Sequence, residues 1–158
     1  MATIPLTAPG ITTHHGINAD LVSKLITEAT GAARAHGTPM AIAVTDSSGV
    51  LQGFLRMDGA PLLAVQLAQD KAYTAAAFGI PTDQWHEFIK GDPPLAAGIP
   101  TVPRLTVFGG GYPLRIDGQL LGGIGLSGGH YTDDMAVAQA ALTACGLWSD
   151  GRSEQEEQ

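Results

Sequence analysis

The five histidines, His14, His15, His36, His86 and His130, are the side chains of this chain best suited to proton transfer or ligation near neutral pH. Their spacing encodes no local metal site, since neither H-x-x-x-H nor H-E-x-x-H occurs. His14 and His15 stand on an arm with Pro5, Pro9 and Gly10, and an arm can fold over a bound group, so they are ligand candidates. His36 falls in a last helical turn, where an imidazolium suits the helix dipole and no further role is needed. His86 lies beside Trp85 and near Phe88 and reads as surface or packing. His130 follows Gly128 and Gly129 at a helix start, a place equally open to acid–base work and to none. Arg56 and Asp58 close a strand. Lys71 stands mid-helix among alanines, either on a solvated face or as a buried cation reaching for a carboxylate.

Two glycine motifs match by letter and fail by context. Gly123 to Gly128 fits G-x-G-x-x-G after a strand and before a helix. A dinucleotide site also needs a second parallel strand with an acid at its end, and too little chain follows. No nucleotide cofactor is expected. Gly125 to Gly129 fits the nucleophile elbow around Ser127, but no histidine follows His130 to complete a triad. A glycine-rich strand packed closely under a helix is the better reading.

The elements that must position these residues are legible from periodicity and punctuation. Asn18 caps a helix whose stripe is Leu21, Val22, Leu25, Ile26, Ala29 and Ala33, ended by Gly37 and Pro39. Residues 40–46 and 50–57 form a hairpin about Ser47–Ser48–Gly49. A helix runs over 61–78, and Thr82 caps a short one reaching Lys90. Residues 91–103, with four prolines and two glycines, form an irregular loop. Strands follow at 104–108, 114–116 and 119–126, and Thr132 caps a last helix that carries Met135 to Cys145. The expected order is α-β-β-α-α-β-β-β-α: an α+β fold with a five-stranded antiparallel sheet flanked by helices. Residues 1–16 form an arm, 17–149 one domain and 150–158 an acidic tail.

Composition narrows the function. The 158 residues are 44% hydrophobic and only 15% charged, with a formal net charge of −7. An acidic chain with scattered cations has no electrostatic footprint for nucleic acid or an anionic membrane. The single cysteine, Cys145, excludes an intrachain disulfide and a Cys-built zinc site. No apolar run is long enough to span a bilayer and no signal pattern opens the chain, so a cytoplasmic protein is expected. The low charge and many small residues point to a homo-oligomer larger than a dimer.

Several blocks in order resemble the GlcG/HbpS family, whose domain also forms the C-terminal part of PduO-type proteins. They are Ala43 to Gly49, Phe54 to Ala60, Ala68 to Ala75, Gly109 to Leu114, Ile116 to Gly128 and Ala138 to Ala141. The resemblance implies a profilin-like sheet with helices, a homo-oligomer, and binding of haem or a related tetrapyrrole. Some relatives are described as haem-degrading or redox-sensing. It also implies a pocket at the end of the sheet near Asp58, Lys71 and the turn of Gly110, Gly111 and Pro113. Arg56 and Lys71 would there meet a ligand's carboxylates. A histidine ahead of the first helix is implicated in haem-binding relatives, which makes His14 or His15 the nearest match for an axial ligand.

Two readings remain open. In the first the chain binds haem or a similar tetrapyrrole. In the second it is a cofactor-independent enzyme acting on a small carboxylated or carbonyl substrate, with His130, Lys71 and Tyr112 as the acid–base and catalytic groups.

Overall fold

The computed structural model describes Gly10 and residues 12–148. The expected tail over 150–158 lies outside the described residues, as does most of the arm before Thr12.

Helix α1, Ala19–His36, starts where Asn18 Oδ1 accepts from the Leu21 N–H at 2.9 Å and stops at Gly37, which is left-handed at φ 82°. Strands β1 (Ala41–Asp46) and β2 (Leu51–Arg56) form the first hairpin. Helix α2 spans Leu62–Phe78 and α3 spans Gln84–Ile89. A short α4 (Pro93–Gly98) and a 3-10 turn (Ile99–Thr101) occupy the stretch expected to be irregular. Strands β3 (Gly111–Ile116) and β4 (Gln119–Ser127) form the second hairpin, and α5 is Tyr131–Ala144.

The sheet has four strands rather than five, all antiparallel, in the order β2-β1-β4-β3. The missing strand is the one expected at 104–108. Its backbone is held from α2 instead: the Thr74 hydroxyl donates to the Arg104 carbonyl at 2.8 Å and accepts from the Thr106 N–H at 3.0 Å. Arg104 is left-handed at φ 67°, which turns the chain out of any ladder. The element order is therefore α-β-β-α-α-α-β-β-α with the 3-10 turn before β3.

Helices cover both faces of the sheet. On one face Met40, Ile42, Val44, Ile124, Leu126, Tyr112 and Leu114 pack with α1 and α5 in the larger core. On the other, Ala41 and Ala43 meet Ala64, Ala68 and Ala72 of α2. Period-two alternation separates the faces: large apolar residues point one way, small ones the other. The α2 face is close-packed because β4 carries glycine there. A Cβ on Gly123 would lie 2.2 Å from the Ala72 carbonyl oxygen, and one on Gly125 would lie 2.1 Å from that of Ala68. Both glycine motifs read from the sequence thus begin on a strand under a helix and run just past its end.

Candidate functional site

Lys71 projects from the buried side of α2 and is wholly enclosed. Its Nζ lies 2.6 Å from Asp134 Oδ2 and 2.9 Å from the Leu126 carbonyl, so Lys71 is the buried cation rather than the solvated one. Asp134 Oδ1 also accepts from the Gly129 N–H at 3.3 Å. Burial pushes the Lys71 ammonium below its ordinary pKa and the Asp134 carboxyl above its own, against the attraction between them. Gly110, at φ 113°, closes over the pair: a Cβ there would lie 2.8 Å from Lys71 Nζ and 2.8 Å from Asp134 Cβ. Gly111 is tied from its N–H to the Thr82 hydroxyl at 2.9 Å, so Thr82 serves this junction and makes no cap to α3. Pro113, half-buried, is in register with Gly123.

Above this pair opens a cleft of about 500 Å³, lined by Asp83, His86, Val107, Phe108, Gly109, Tyr131, Thr132 and Met135. The Phe108 ring separates it from Lys71, whose Nζ is 5.2 Å from the ring centre. The edge-on contact of Trp85 with Phe78 of α2 (4.5 Å) holds α3 beside it, and Trp85 also meets Phe88 within α3 (5.7 Å). Asp83 Oδ1 and Trp85 Nε1 are buried with no hydrogen-bond partner among the described residues.

His130 is itself the N-cap of α5, displacing Thr132 from the expected role. Its Nδ1 lies 2.9 Å from the Thr132 hydroxyl, and its ring is 4.4 Å from that of Tyr131. The side chain is exposed. Tyr112 is enclosed in the larger core, where its hydroxyl accepts from Gln139 Nε2 at 3.0 Å and its ring meets Trp148 edge-on at 5.2 Å. Desolvation raises its phenol to about 12.

Arg56 and Asp58 line a different cleft, of about 320 Å³, with Thr30, Arg34, Leu55 and Met57. Arg56 is anchored there by Nε and Nη2 donating to the Ala60 carbonyl at 3.1 and 2.6 Å. The structure therefore brings Arg56 and Asp58 together and sets Lys71 beside Gly110, without joining the two groups in one cleft.

His14 and His15 are exposed at the opposite end of the sheet. With Thr13, Ser47, Ser48, Gln119 and Leu120 they line a cleft of about 470 Å³. A second, of about 440 Å³, shares His15 and Gln119 and adds Ile116 and Leu121.

Neither Asp134 as the partner of Lys71 nor Asp83 was singled out in the sequence. Asp134 carried a signal: it stands in step with Val137, Ala138, Ala141 and Leu142, the buried stripe of α5, where a carboxylate requires a partner. Asp83 carried none, because its isolation arises from tertiary packing.

A four-stranded antiparallel sheet between helices, with a sealed ion pair at one end and an open histidine-bearing cleft at the other, defines a small α+β domain. Residues 17–143 match the family described as haem-degrading, HbpS-like proteins, and the chain belongs to that family. It is 38% identical over 110 residues to the corrinoid adenosyltransferase PduO of Citrobacter freundii, a match covering 67% of this chain and 32% of that protein. The matched stretch is thus about a third of the PduO length. It is 32% identical to the protein GlcG of Escherichia coli K12, covering 70% of this chain and 81% of that one. A solved complex of PduOC with haem superposes with a TM-score of 0.76 at 31% identity, covering 82% of this chain and 94% of that one. Among the described residues no helix is long and apolar enough to cross a membrane.

Proposed function

We propose that this chain binds haem or a related tetrapyrrole, with His14 or His15 as the axial donor. The observation that carries the reading is the likeness to the haem-bound PduOC over nearly all of that chain. The donor set fits the group. Two adjacent exposed imidazoles stand against Ile116, Leu120 and Leu121, which offer apolar surface to a flat ring. When bound, haem supplies iron-centred redox chemistry; the chain's own residues hold it and limit its contact with water.

Self-assembly belongs to the same proposal. Leu62 and Leu63 are 76% and 70% exposed at the start of α2, directly after the Arg56–Asp58 stretch, and a second copy would cover them. In such an assembly the cleft of Arg34, Arg56 and Asp58 is the proposed seat for a ligand carboxylate.

Titration of the purified chain with haemin tests the reading. A saturable Soret band is expected, lost or displaced when His14→Ala and His15→Ala are combined. No band, or one the double substitution leaves unchanged, overturns the assignment. Adding reductant under oxygen separates the further roles: a stable band marks binding alone, and bleaching marks degradation.

A further inference from the structure

The cleft between α3, residues 105–110 and the start of α5 lies at the Gly111–Ser127 end of the sheet, away from His14 and His15. We propose that it binds a small organic cation, an ammonium on an apolar or aromatic body, with the Asp83 carboxylate as counter-ion.

Asp83 is the first ground. It lines the cleft, its Oδ1 is buried with no hydrogen-bond partner, and it forms no ion pair among the described residues. Asp83 as a whole is half-buried, so its carboxylate can meet a cation or strong donor that enters the cleft beside it. The nearby lysine is unavailable, because Lys71 is committed to Asp134 and the Leu126 carbonyl. The negative field of Asp83 still reaches the Tyr112 phenol and helps to raise it.

The walls are the second ground. Phe108 and Tyr131 are 39% and 42% exposed, and with Met135 they present aromatic faces and a thioether to the cleft. Aromatic faces attract cations, by about 0.5–1 kcal/mol where exposed and more where desolvated. Gly109 lets Met135 pack directly on the backbone, since a Cβ there would lie 2.3 Å from Met135 Sδ and 3.4 Å from Asp83 Cβ. The volume of about 500 Å³ suits a small molecule. The net charge of −7 favours cationic over anionic ligands at encounter. A metal ion is the poorer occupant, because no group of three His, Cys, Asp or Glu side chains is gathered among the described residues.

Calorimetric titration of the full chain with benzylammonium and with neutral benzyl alcohol tests the proposal. Benzylammonium should bind at least tenfold more tightly than the alcohol. Asp83→Asn should erase that difference, and Phe108→Ala should weaken the ammonium at least threefold. Equal affinity for the two probes, no binding of either, or an Asp83→Asn variant that keeps the preference would overturn it. If Asp83→Asn does not fold, the two-probe comparison and Phe108→Ala still decide.

Discussion

The two ends of the sheet solve the problem of placing polar groups in opposite ways. At the Gly111–Ser127 end, Lys71 and Asp134 are shut away beneath Gly110 and every strong contact is internal. At the Asp46–Gln119 end, His14 and His15 lie in open clefts among Ser47, Ser48 and Gln119. A buried charge is set by its partner, whereas an exposed imidazole is free for whatever arrives. Substitutions in the buried pair should therefore register as stability, and substitutions of the arm histidines as binding.

The largest effect is expected from separating the ion pair. Lys71→Met leaves the Asp134 carboxylate buried without its cation, which should cost about 3–5 kcal/mol. Burial is the dominant influence on both partners and disfavours each charge. Removing both charges, with Lys71→Met and Asp134→Leu together, should recover most of that loss. Urea denaturation of the two single variants and the double variant measures the coupling. Additive losses would mean that the pair does not act as a unit.

A smaller effect at the same end comes from Tyr112. The folded phenol titrates at about 12, above the roughly 10 of an unfolded tyrosine. A raised folded pKa means its contribution is complete below pH ~10 and is lost as pH rises towards 12. The loss amounts to about 2–3 kcal/mol across that window. Urea midpoints at pH 9 and pH 11.5 should show the fall, and Tyr112→Phe should flatten it. An equally steep fall in the variant would assign the alkaline instability to other groups.

The same contrast explains what could be read before the structure. Local signals carried the helices and hairpins: Asn18 and Gly37 bracket α1 through hydrogen bonds that reach only a few residues. The strand expected at 104–108 failed because its hydrogen bonds come from Thr74, thirty residues upstream, and nothing in its β-branched composition reveals that competitor. Thr82 and Thr132 looked like caps for a related reason. Their types suit the position, but the Gly111 junction claims one and His130 displaces the other. Lys71 was conspicuous as a charge on a small-residue helix; its partner lies 63 residues on, and only the fold joins them. The arm histidines were legible as free groups, and free groups are what the described residues show.

That freedom makes the smallest stability effect the sharpest contrast between the ends. His14 and His15 are exposed, and neither forms a hydrogen bond or ion pair among the described residues. Replacing both with alanine should change the stability of the unliganded chain by less than about 0.5 kcal/mol, the usual range for surface substitutions. Haemin changes the expectation, because a ligand bound only by the folded state stabilises it in proportion to its occupancy. At a hundredfold excess over its Kd that gain is about 2.7 kcal/mol. The wild-type chain should show it as a rise in Tm with haemin, and the double variant should not, although the two melt together without it. Equal rises would place the axial donor elsewhere. A double variant already unstable without haemin would mean that the arm supports the fold and that the open end is less open than its geometry implies.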